Sequence, residues 1–419
     1  MTKKQVMSVL LCGAMTTGML AANVVTAHAE EAKELTYWSM WNSTENQAKV
    51  IQEAADAYEE ATGVHINIEW KGRDVKTMIG AALDAGEDID LFDDDYQRVV
   101  QQDGKYLADV TEMGSAVDYE SHIMPVLLDQ AKAWGDGKLL VMPYQPYTTG
   151  VWYNKDLWEE AGLTDEDVPE TWDELLAACQ KIKDGDSGLN PMTCDSNFVN
   201  LLYGFQLARY IGQDAVLDLI DNCAWADSAE AKKAAEDIQS LFSEGYMSEY
   251  APANGTDGQS EIGYGESIMV LQASWVPNEI IQTTGTAVNW GFFPWPAVEG
   301  GTDGTEASMV GSQGFGIVAK SDMQQEAFDF AYSVCTGEFD LKMAESVNSI
   351  PADTENTQWP EAILGAEPFF KEMSKSYMWA VGFQRNADYK EIIQENLIKL
   401  AKVEVTPDEF IEALAAAKK

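Results

Sequence analysis

The sequence predicts an α/β fold built on a parallel sheet, and two of its features lead to that prediction. Over residues 35–110, short apolar segments with the two-residue period of strands alternate with amphipathic segments of helical period. Such alternation is typical of parallel strands joined by right-handed helical crossovers. The chain also has 419 residues, more than one hydrophobic core usually serves, which favours two domains.

The first five elements are predicted in the order strand, helix, strand, helix, strand. They are a strand at 35–38, a helix at 44–62, a strand at 64–70, a helix at 75–85 and a strand at 89–92. Thr44 and Gln47 have the spacing of a capping box at the start of the first helix, and Gly63 is expected to end it. The carboxyl ends of these strands would share one edge of the sheet, where open α/β sheets bind ligands.

The rest of the chain is predicted to alternate helices with glycine-rich loops and short strands. Helices are expected at 170–183, 197–210 and 228–244, and the tail from Phe369 is expected to be mostly helical. Polar, glycine-rich loops at 251–261 and 299–307 precede predicted strands at 267–270 and 314–318.

The first 29 residues have the features of a secretory signal peptide. A lysine pair precedes a largely apolar run at 6–25, and residues 27–29 (Ala-His-Ala) have the small-x-small pattern of a cleavage site. We therefore expect an exported protein that begins near residue 30. Cys12 raises the alternative of a lipid anchor, which Leu11 disfavours because a lipobox has a small residue at that position.

The charge balance argues against two classes of partner. The chain has 70 acidic against 27 basic residues, a formal net charge of −43. Nucleic acids and anionic lipid headgroups both require basic surfaces, so neither is an expected partner. With 13 Trp, 16 Tyr and 14 Phe, the composition is nevertheless that of a folded protein rather than of an acidic disordered chain.

The sequence beyond the signal peptide contains none of the spacing patterns of common catalytic or metal sites. Its two histidines, His65 and His122, lie near neither a cysteine nor each other, so zinc spacing is absent. The serine-hydrolase elbow, the phosphate-binding loop and the dinucleotide fingerprint are also absent, and no catalytic residue, metal or cofactor is predicted. Four cysteines are too few for a disulfide scaffold, and whether Cys194 and Cys223 are bridged is left open.

Polar and aromatic side chains follow the first three predicted strands. Trp41 and Asn42 follow the first, Arg73 follows the second, and an acidic run at 93–95 follows the third. Sugar rings present apolar C–H faces to aromatic rings and hydroxyls to fixed polar groups, so a carbohydrate suits this combination. Five tryptophans lie at predicted strand or helix ends rather than on helical stripes: Trp38, Trp41, Trp275, Trp295 and Trp379.

Several alternatives stay open for these residues. The acidic run at 93–95 is consistent with a solvated loop, with acceptors for sugar hydroxyls, or with part of a glycosidase, which needs two carboxylates on different elements. Each tryptophan, taken alone, is better explained by core packing, and only their joint occurrence beside loops with Asp and Asn favours binding. For the whole chain, the rivals to a sugar-binding protein are a secreted glycosidase, a binder of a cationic molecule such as a polyamine, and a protein of adhesion or assembly.

A series of motifs supplies a more specific indication. They are Pro-Tyr at 143–144, Val-Trp-Tyr-Asn-Lys-Asp-Leu-Trp at 151–158, Ala-Gly-Leu at 161–163, Thr-Trp-Asp-Glu-Leu at 171–175, Ala-Ser-Trp at 273–275 and Phe-Pro-Trp-Pro at 293–296. Together they resemble the extracellular solute-binding proteins of ABC importers, in the carbohydrate-binding, maltose-binding-protein-like branch. The resemblance extends from about residue 35 to residue 414.

The resemblance implies a two-lobed type II periplasmic-binding-protein fold with discontinuous lobes. One lobe would comprise 30–145 plus 297–349 and the other 146–296 plus 350–419, joined by a hinge and closing over a sugar. It also implies a monomer that delivers its sugar to ABC transporter permease subunits and has no ATP site of its own.

Ten ligand-binding positions follow from the residues and the resemblance together. They are Trp41, Asn42, Arg73, Asp94, Asp95, Tyr147, Trp275, Trp295, Trp379 and Arg385. The acidic run departs from the pattern of maltose-type relatives, so we expect a ligand with more hydrogen-bond donors than maltose, such as an amino sugar or another oligosaccharide.

Overall fold

The computed structural model describes residues 33–185, 187–383, 385 and 387–417. The predicted signal peptide and Cys12 lie outside the described residues. Within the described ranges the four cysteines, Cys179, Cys194, Cys223 and Cys335, are free thiols, so Cys194 and Cys223 are not bridged. No helix in this part of the chain is long and apolar enough to cross a membrane.

The strands form one extended mixed sheet. In chain order they are β1 (Glu34–Ser39), β2 (His65–Trp70), β3 (Leu91–Asp95), β4 (Met142–Asn154), β5 (Asn190–Thr193), β6 (Ser267–Ala273), β7 (Trp290–Phe293), β8 (Ala307–Ile317) and β9 (Lys375–Tyr377). Their order in the sheet is β2-β1-β3-β8-β4-β6-β5, with β7 paired to β4 and β9 paired to β8. The pairs β1–β2, β1–β3, β5–β6 and β8–β9 are parallel, whereas β8 runs antiparallel to β3 and β4.

The helices surround this sheet. They are α1 (Asn46–Thr62), α2 (Val75–Ala85), α3 (Tyr96–Asp103), α4 (Thr111–Ala116), α5 (Tyr119–His122), α6 (Pro125–Trp134), α7 (Lys155–Glu160), α8 (Trp172–Asp184), α9 (Val199–Ile211), α10 (Gln213–Asn222), α11 (Ala229–Ser243), α12 (Asp257–Tyr264), α13 (Val276–Thr284), α14 (Gln324–Cys335), α15 (Gly337–Val347), α16 (Glu367–Glu372), α17 (Ala387–Ala401) and α18 (Pro407–Ala416). Short 3₁₀ turns include Ser196–Phe198 and Trp379–Gly382.

Local sequence explains most of these boundaries. Helix α2 has the predicted bounds, and α1 ends at Gly63, whose φ of 74° is the left-handed conformation that glycine adopts without strain. The capping box predicted at Thr44 and Gln47 is wrong, because the residue preceding α1 is Glu45 and its side chain makes no cap hydrogen bond. A true capping box starts α8, where Thr171 and Glu174 satisfy each other's backbone N–H groups.

Two predictions for irregular segments are corrected by the structure. The loop predicted at 251–261 is partly helical, since α12 begins at Asp257. The third strand continues to Asp95 because β3 pairs with β8 along its whole length, so Asp93, Asp94 and Asp95 lie in a strand rather than in a loop. The sheet thereby holds three consecutive carboxylates on alternating faces.

The buried apolar side chains form two clusters, called here the first and second core clusters. The first contains the residues of β1–β3 and their helices, and it continues through Trp152 and Phe292 onto one face of β4 and β7. The second contains the other face of β4 together with α8, α9, α11 and α17. Strands β4 and β8 contribute to both clusters, so they connect them. Ile363 and Phe370 also pack in the first cluster.

Candidate functional site

A cavity of about 820 Å³ lies where the two core clusters meet. Its walls come from the ends of β1 and β3, from α3, from the crossing strands β4 and β8, and from the segments around α9, α13 and α17. The lining residues are Met40, Asp95, Gln97, Arg98, Gln101, Gln102, Tyr147, Asn197, Phe198, Trp275, Gln313, Met378, Trp379, Gly382, Arg385, Lys390, Glu391, Gln394 and Glu395. The volume lies within the range of sites that bury a small molecule.

Four aromatic side chains line the cavity in a continuous series, called here the aromatic row. Tyr147 meets Trp275 edge-to-face with ring centroids 5.3 Å apart, and Trp275 stacks on Trp379 at 6.1 Å with an interplanar angle of 18°. Phe198 continues the series at 6.4 Å from Trp379. Trp275, Trp379 and Phe198 are all partly exposed, so the row offers apolar ring surface to the cavity.

The segment that carries Trp379 has an unusual backbone. The three residues after it, Ala380, Val381 and Gly382, have φ values of 47°, 52° and 87°. A left-handed conformation is costly for the β-branched Val381, and the packing around it must compensate. Ala380 and Val381 are fully buried in the second core cluster, so this packing holds the ring of Trp379 beside Trp275.

Asp95 is the carboxylate that the sheet brings to the cavity. It caps the start of α3, where its Oδ1 accepts a hydrogen bond of 3.1 Å from the backbone N–H of Arg98. Its Oδ2 accepts a hydrogen bond of 3.2 Å from the hydroxyl of Tyr147. Burial raises the pKa of Asp95 above its ordinary value, although the hydrogen bond from the Arg98 backbone opposes the rise. The cavity therefore contains a fixed acceptor next to the aromatic row.

The charged groups around the cavity are balanced, and two of them are already paired. Arg98 donates from Nε to Asp94 Oδ2 at 2.6 Å, and Arg385 lies 3.0 Å from Asp221. The lining contains three acidic residues (Asp95, Glu391 and Glu395) and three basic ones (Arg98, Arg385 and Lys390). In contrast to the whole chain, the lining contains equal numbers of acidic and basic side chains.

Trp41, Asn42 and Arg73 lie together beside the cavity but do not line it. Trp41 is buried, and its Nε1 donates to the hydroxyl of Tyr144 at 2.7 Å. The Arg73 guanidinium lies over the Trp41 ring at 4.4 Å, and both Arg73 and Asn42 are hydrogen-bonded to Glu45. The parallel strands bring these side chains to one edge, as the sequence predicts, but their hydrogen bonds are used within the protein.

Asp93 is a further polar group at this edge of the sheet whose hydrogen bonds are made within the protein. Its carboxylate accepts a hydrogen bond of 2.8 Å from the backbone N–H of Met40 and another from the hydroxyl of Tyr144. Asp93 is fully buried, and burial raises its pKa to about 6 against the opposing effect of these hydrogen bonds. The group ties the end of β1 to β3 and β4 and so holds Met40 at the cavity wall.

Trp295 and Asp94, which the sequence predicts as ligand-binding residues, do not line the cavity. Trp295 is fully buried in the second core cluster, where its Nε1 donates to Gln206 Oε1 at 2.9 Å. Asp94 is also buried and is engaged by Arg98. Trp295 lies in the segment between β7 and β8, and Asp94 projects from the face of β3 opposite to that of Asp95, so both side chains point into packed protein. The structure thus brings together five predicted residues at the cavity: Asp95, Tyr147, Trp275, Trp379 and Arg385.

Arg98, Phe198 and Gln313 are among the lining residues that the sequence does not predict as ligand contacts. Arg98 lies on α3 and pairs with Asp94 near the end of β3, so the contact depends on how the strand passes into the helix. Phe198 belongs to an apolar segment that predicts a core helix. It is partly exposed because it lies in the 3₁₀ turn that precedes α9. Gln313 carries no local signal at all, because its position depends on the pairing of β8 with β3.

No group of three or more His, Cys, Asp or Glu side chains in the described ranges has the arrangement to hold a metal ion. The chemistry that the cavity presents is therefore that of apolar ring faces, amides, a carboxylate acceptor and paired charges. These groups suit the recognition of a polar molecule with apolar faces.

Comparison with known proteins agrees with this picture. The sequence pattern of the bacterial extracellular solute-binding proteins matches residues 41–332, which is more than half of the chain. The chain is 24% identical over 352 residues to a lactose-binding protein of Rhizobium radiobacter, with 79% of this chain and 77% of that protein covered. It is 22% identical over 395 residues to an sn-glycerol-3-phosphate-binding periplasmic protein of Brucella abortus, with 87% of each covered.

A solved structure resembles the fold. It is a sugar transporter protein of Bacillus licheniformis in complex with stachyose, with a TM-score of 0.66, 19% identity, and coverage of 91% of this chain and 98% of that chain. The mixed sheet with its surrounding helices and this likeness confirm the predicted α/β fold of the type II periplasmic binding proteins. The chain belongs to the bacterial extracellular solute-binding protein family.

Proposed function

We propose that this protein binds a carbohydrate, most simply an oligosaccharide, in the cavity between the two core clusters. The aromatic row carries the proposal. The row provides a surface along which the apolar faces of successive sugar residues can lie, and its rings are those of Tyr147, Trp275, Trp379 and Phe198. Asp95 and the cavity amides supply acceptors and donors for the hydroxyls.

The charge of the lining argues against a phosphorylated ligand. A phosphate would need unpaired cations, but two of the three basic residues of the lining, Arg98 and Arg385, are paired with carboxylates outside it. The names of the relatives are consistent with a sugar, since one is a lactose-binding protein and one structure contains stachyose. The glycerol-phosphate relative makes a phosphate ester the natural competitor to test.

The proposed mechanism is closure of two lobes on the ligand. In this proposal one lobe comprises 30–145 plus 297–349, the other 146–296 plus 350–419, and β4 and β8 form part of the hinge. A sugar that touches both lobes favours the closed state by the free energy of the contacts that only this state provides. A permease of an ABC importer would then recognise the closed form. The protein would act as an exported monomer, with a signal peptide at 1–29, and would release its sugar chemically unchanged.

The test is a binding screen on the chain beginning at residue 30. Lactose, raffinose, stachyose and maltotriose are compared with spermidine and sn-glycerol-3-phosphate by thermal unfolding and calorimetry. We expect at least one saccharide to stabilise the protein, by about 2.7 kcal/mol at a hundredfold excess over Kd. Stabilisation by spermidine or the phosphate ester alone would refute a sugar as ligand. Chromatography of the saccharide after incubation should recover it intact, and cleavage would indicate a glycosidase.

The Trp275→Ala variant tests the aromatic row. Because it removes the central ring, we expect the affinity for the saccharide found in the screen to fall roughly ten- to hundredfold. Trp70→Ala is the matched control, since Trp70 is partly buried at the end of β2 and does not line the cavity. Equal affinity of the Trp275→Ala variant and the unsubstituted protein would exclude the row as the sugar platform.

A further inference from the structure

Two rings of the aromatic row, Phe198 and Trp275, belong to segments that are distant in sequence. Phe198 ends the 3₁₀ turn Ser196–Phe198, and its backbone N–H donates to the carbonyl of Asp195 at 3.0 Å. Trp275 immediately precedes α13, and its carbonyl accepts a hydrogen bond of 3.1 Å from the backbone N–H of Glu279. The positions of the two rings therefore depend on how Asp195 and Glu279 are held.

The start of α12 is bonded to the segment that carries Phe198. The backbone N–H groups of Gly258 and Gln259 donate to Asp195 Oδ1 at 2.8 and 3.3 Å. Both lie in the first turn of α12, where N–H groups have no partner within the helix. The approach is close, because a Cβ atom on Gly258 would lie 2.6 Å from the carbonyl oxygen of Cys194.

The side chain of Gln259 bonds to residues on both sides of Trp275. Its Nε2 donates to Glu279 Oε2 at 2.7 Å, and its Oε1 accepts from Gln272 Nε2 at 2.9 Å. Gln272 Oε1 in turn accepts from the backbone N–H of Ala273 at 2.9 Å. A carboxylate only accepts and a backbone N–H only donates, so each amide has one orientation in which all these bonds form.

These side chains lie behind the aromatic row rather than in the cavity. Asp195, Gln259 and Gln272 are buried, Glu279 is partly exposed, and none of the four lines the cavity. A buried hydrogen bond adds little net stability, but connected ones fix their members in one arrangement. The helix that carries Gln259 is thus joined to both segments of the row.

We infer that Gln259 is a positioning residue for the ligand, which sets the separation between Phe198 and Trp275 and so the shape of the aromatic row. The inference rests on the proposed function and adds to it. Trp379 lies between these rings, 6.4 Å from the first and 6.1 Å from the second, so a shift of either segment disrupts the series. Gln259 contributes to affinity without touching the sugar, because rings held in place before binding need no ordering on binding.

The test uses Gln259→Met at pH 8, which keeps the length of the side chain and removes the amide. The variant loses the bonds to Gln272 and Glu279, while the backbone bonds to Asp195 remain. We expect the affinity for the tightest of lactose, raffinose, stachyose and maltotriose to fall roughly three- to tenfold in titration calorimetry.

Gln206→Met is the matched control. Gln206 on α9 is equally buried, donates to Asp237 Oδ2 at 2.7 Å and accepts from Trp295 Nε1 at 2.9 Å. These bonds lead to the second core cluster and not to the row. Gln206→Met should therefore lower the unfolding temperature, as Gln259→Met does, but leave the affinity unchanged.

Exchanging donor and acceptor provides a rescue. In Gln259→Glu alone, the introduced carboxylate faces Glu279, and the affinity should fall at least as far as in Gln259→Met. In Gln259→Glu combined with Glu279→Gln, the introduced amide donates to the introduced carboxylate, which still accepts from Gln272. The affinity should then return to within about twofold of that of the unsubstituted protein.

A second combination tests whether Gln259 acts through the row. Added to Trp275→Ala, Gln259→Met should cost clearly less affinity than it does in the unsubstituted protein. Unchanged affinity of Gln259→Met would overturn the assignment, as would an equal loss in Gln206→Met, an equal loss beside Trp275→Ala, or no rescue by the exchanged pair. If Gln259→Met does not fold, Glu279→Ala, which removes the carboxylate at a partly exposed position, must show the loss of affinity.

The two proposals fail in different ways. If the unsubstituted protein binds none of the four saccharides, the proposed function is wrong and this assignment falls with it. If it binds one of them and Gln259→Met binds that saccharide equally well, only the role of Gln259 is refuted.

Discussion

Single side chains at the cavity are placed by contacts that leave little room for change. Tyr147 links the acceptor to the aromatic row, since its hydroxyl donates to Asp95 and its ring meets Trp275. The ring lies across Gly311 on β8, its direct partner in the sheet. A Cβ atom at Gly311 would lie 2.2 Å from the Tyr147 hydroxyl oxygen and 2.3 Å from its Cζ. Glycine at this position is therefore a condition for the geometry of the site.

Gly311→Ala should consequently weaken ligand binding. The added methyl group must displace the Tyr147 ring, which breaks its hydrogen bond to Asp95 and its contact with Trp275. We expect a fall in affinity of roughly tenfold and a loss of stability of about 1–3 kcal/mol from overpacking. Titration calorimetry and urea unfolding measure the two effects. Gly104→Ala is the control, because a Cβ there would meet only Leu140 at 3.9 Å, and it should change neither quantity appreciably.

At the scale of elements, one buried arginine joins pieces that are distant in sequence. Arg209 on α9 is fully buried, and its NH2 group donates to the carbonyls of Trp295 at 2.7 Å and Ala307 at 2.9 Å. Its NH1 group donates to the hydroxyl of Tyr377 on β9 at 2.9 Å. The guanidinium thus fixes three parts of the chain to one another: α9, strand β9 and the segment before β8 in which Trp295 lies.

Arg209→Met should therefore be strongly destabilising. The methionine leaves the carbonyls of Trp295, Pro296 and Ala307 and the Tyr377 hydroxyl without their buried donor, for which we expect a loss of about 3 kcal/mol or more. Arg209→Lys keeps the charge but lacks the forked geometry and should lie between methionine and arginine. The measurement is the free energy of unfolding in urea of both variants and of the unsubstituted protein. A loss below about 1 kcal/mol for Arg209→Met would show that the buried guanidinium is not an organising element.

For the whole molecule, buried carboxyl groups govern the dependence of stability on pH. Burial raises the pKa of Asp93 and Asp340 to about 6 and that of Asp195 to about 7. A carboxyl whose pKa is higher in the folded state than in the unfolded state binds more protons when folded. Between the two values, stability therefore rises as the pH falls. Reduced repulsion within a chain of net charge −43 acts in the same direction.

We therefore expect the unfolding temperature to rise as the pH is lowered from 8 to about 5.5. Calorimetric scans across this range provide the measurement. Asp195→Asn should be more stable than the unsubstituted protein at pH 8 and should show a weaker rise, because Asp195 Oδ2 has no partner to lose and the amide keeps the acceptor for the Gly258 N–H. An unfolding temperature that is constant or falls toward pH 5.5 would contradict the expectation.

Local sequence was sufficient for the first part of the sheet. The order of its first three strands and two helices, the bounds of α2, the end of α1 at Gly63 and the parallel pairing of β1 with β2 and β3 follow from periodicity and glycine chemistry. These features depend on residues within a turn or two of each other, where the physical preferences of the backbone are local. The series of motifs from residue 143 to residue 296 also indicated the family to which the chain belongs.

Other features were decided only by the tertiary structure. Trp275 and Trp295 both lie at strand ends in the sequence, yet one faces the cavity and the other is enclosed by α9 and the buried Arg209. The neighbourhood of Gln313 and Asp95 exists only because β8 returns to pair with β3. Burial and cross-strand neighbours arise from contacts between distant parts of the chain, and these contacts leave no periodic signature in the residues that make them.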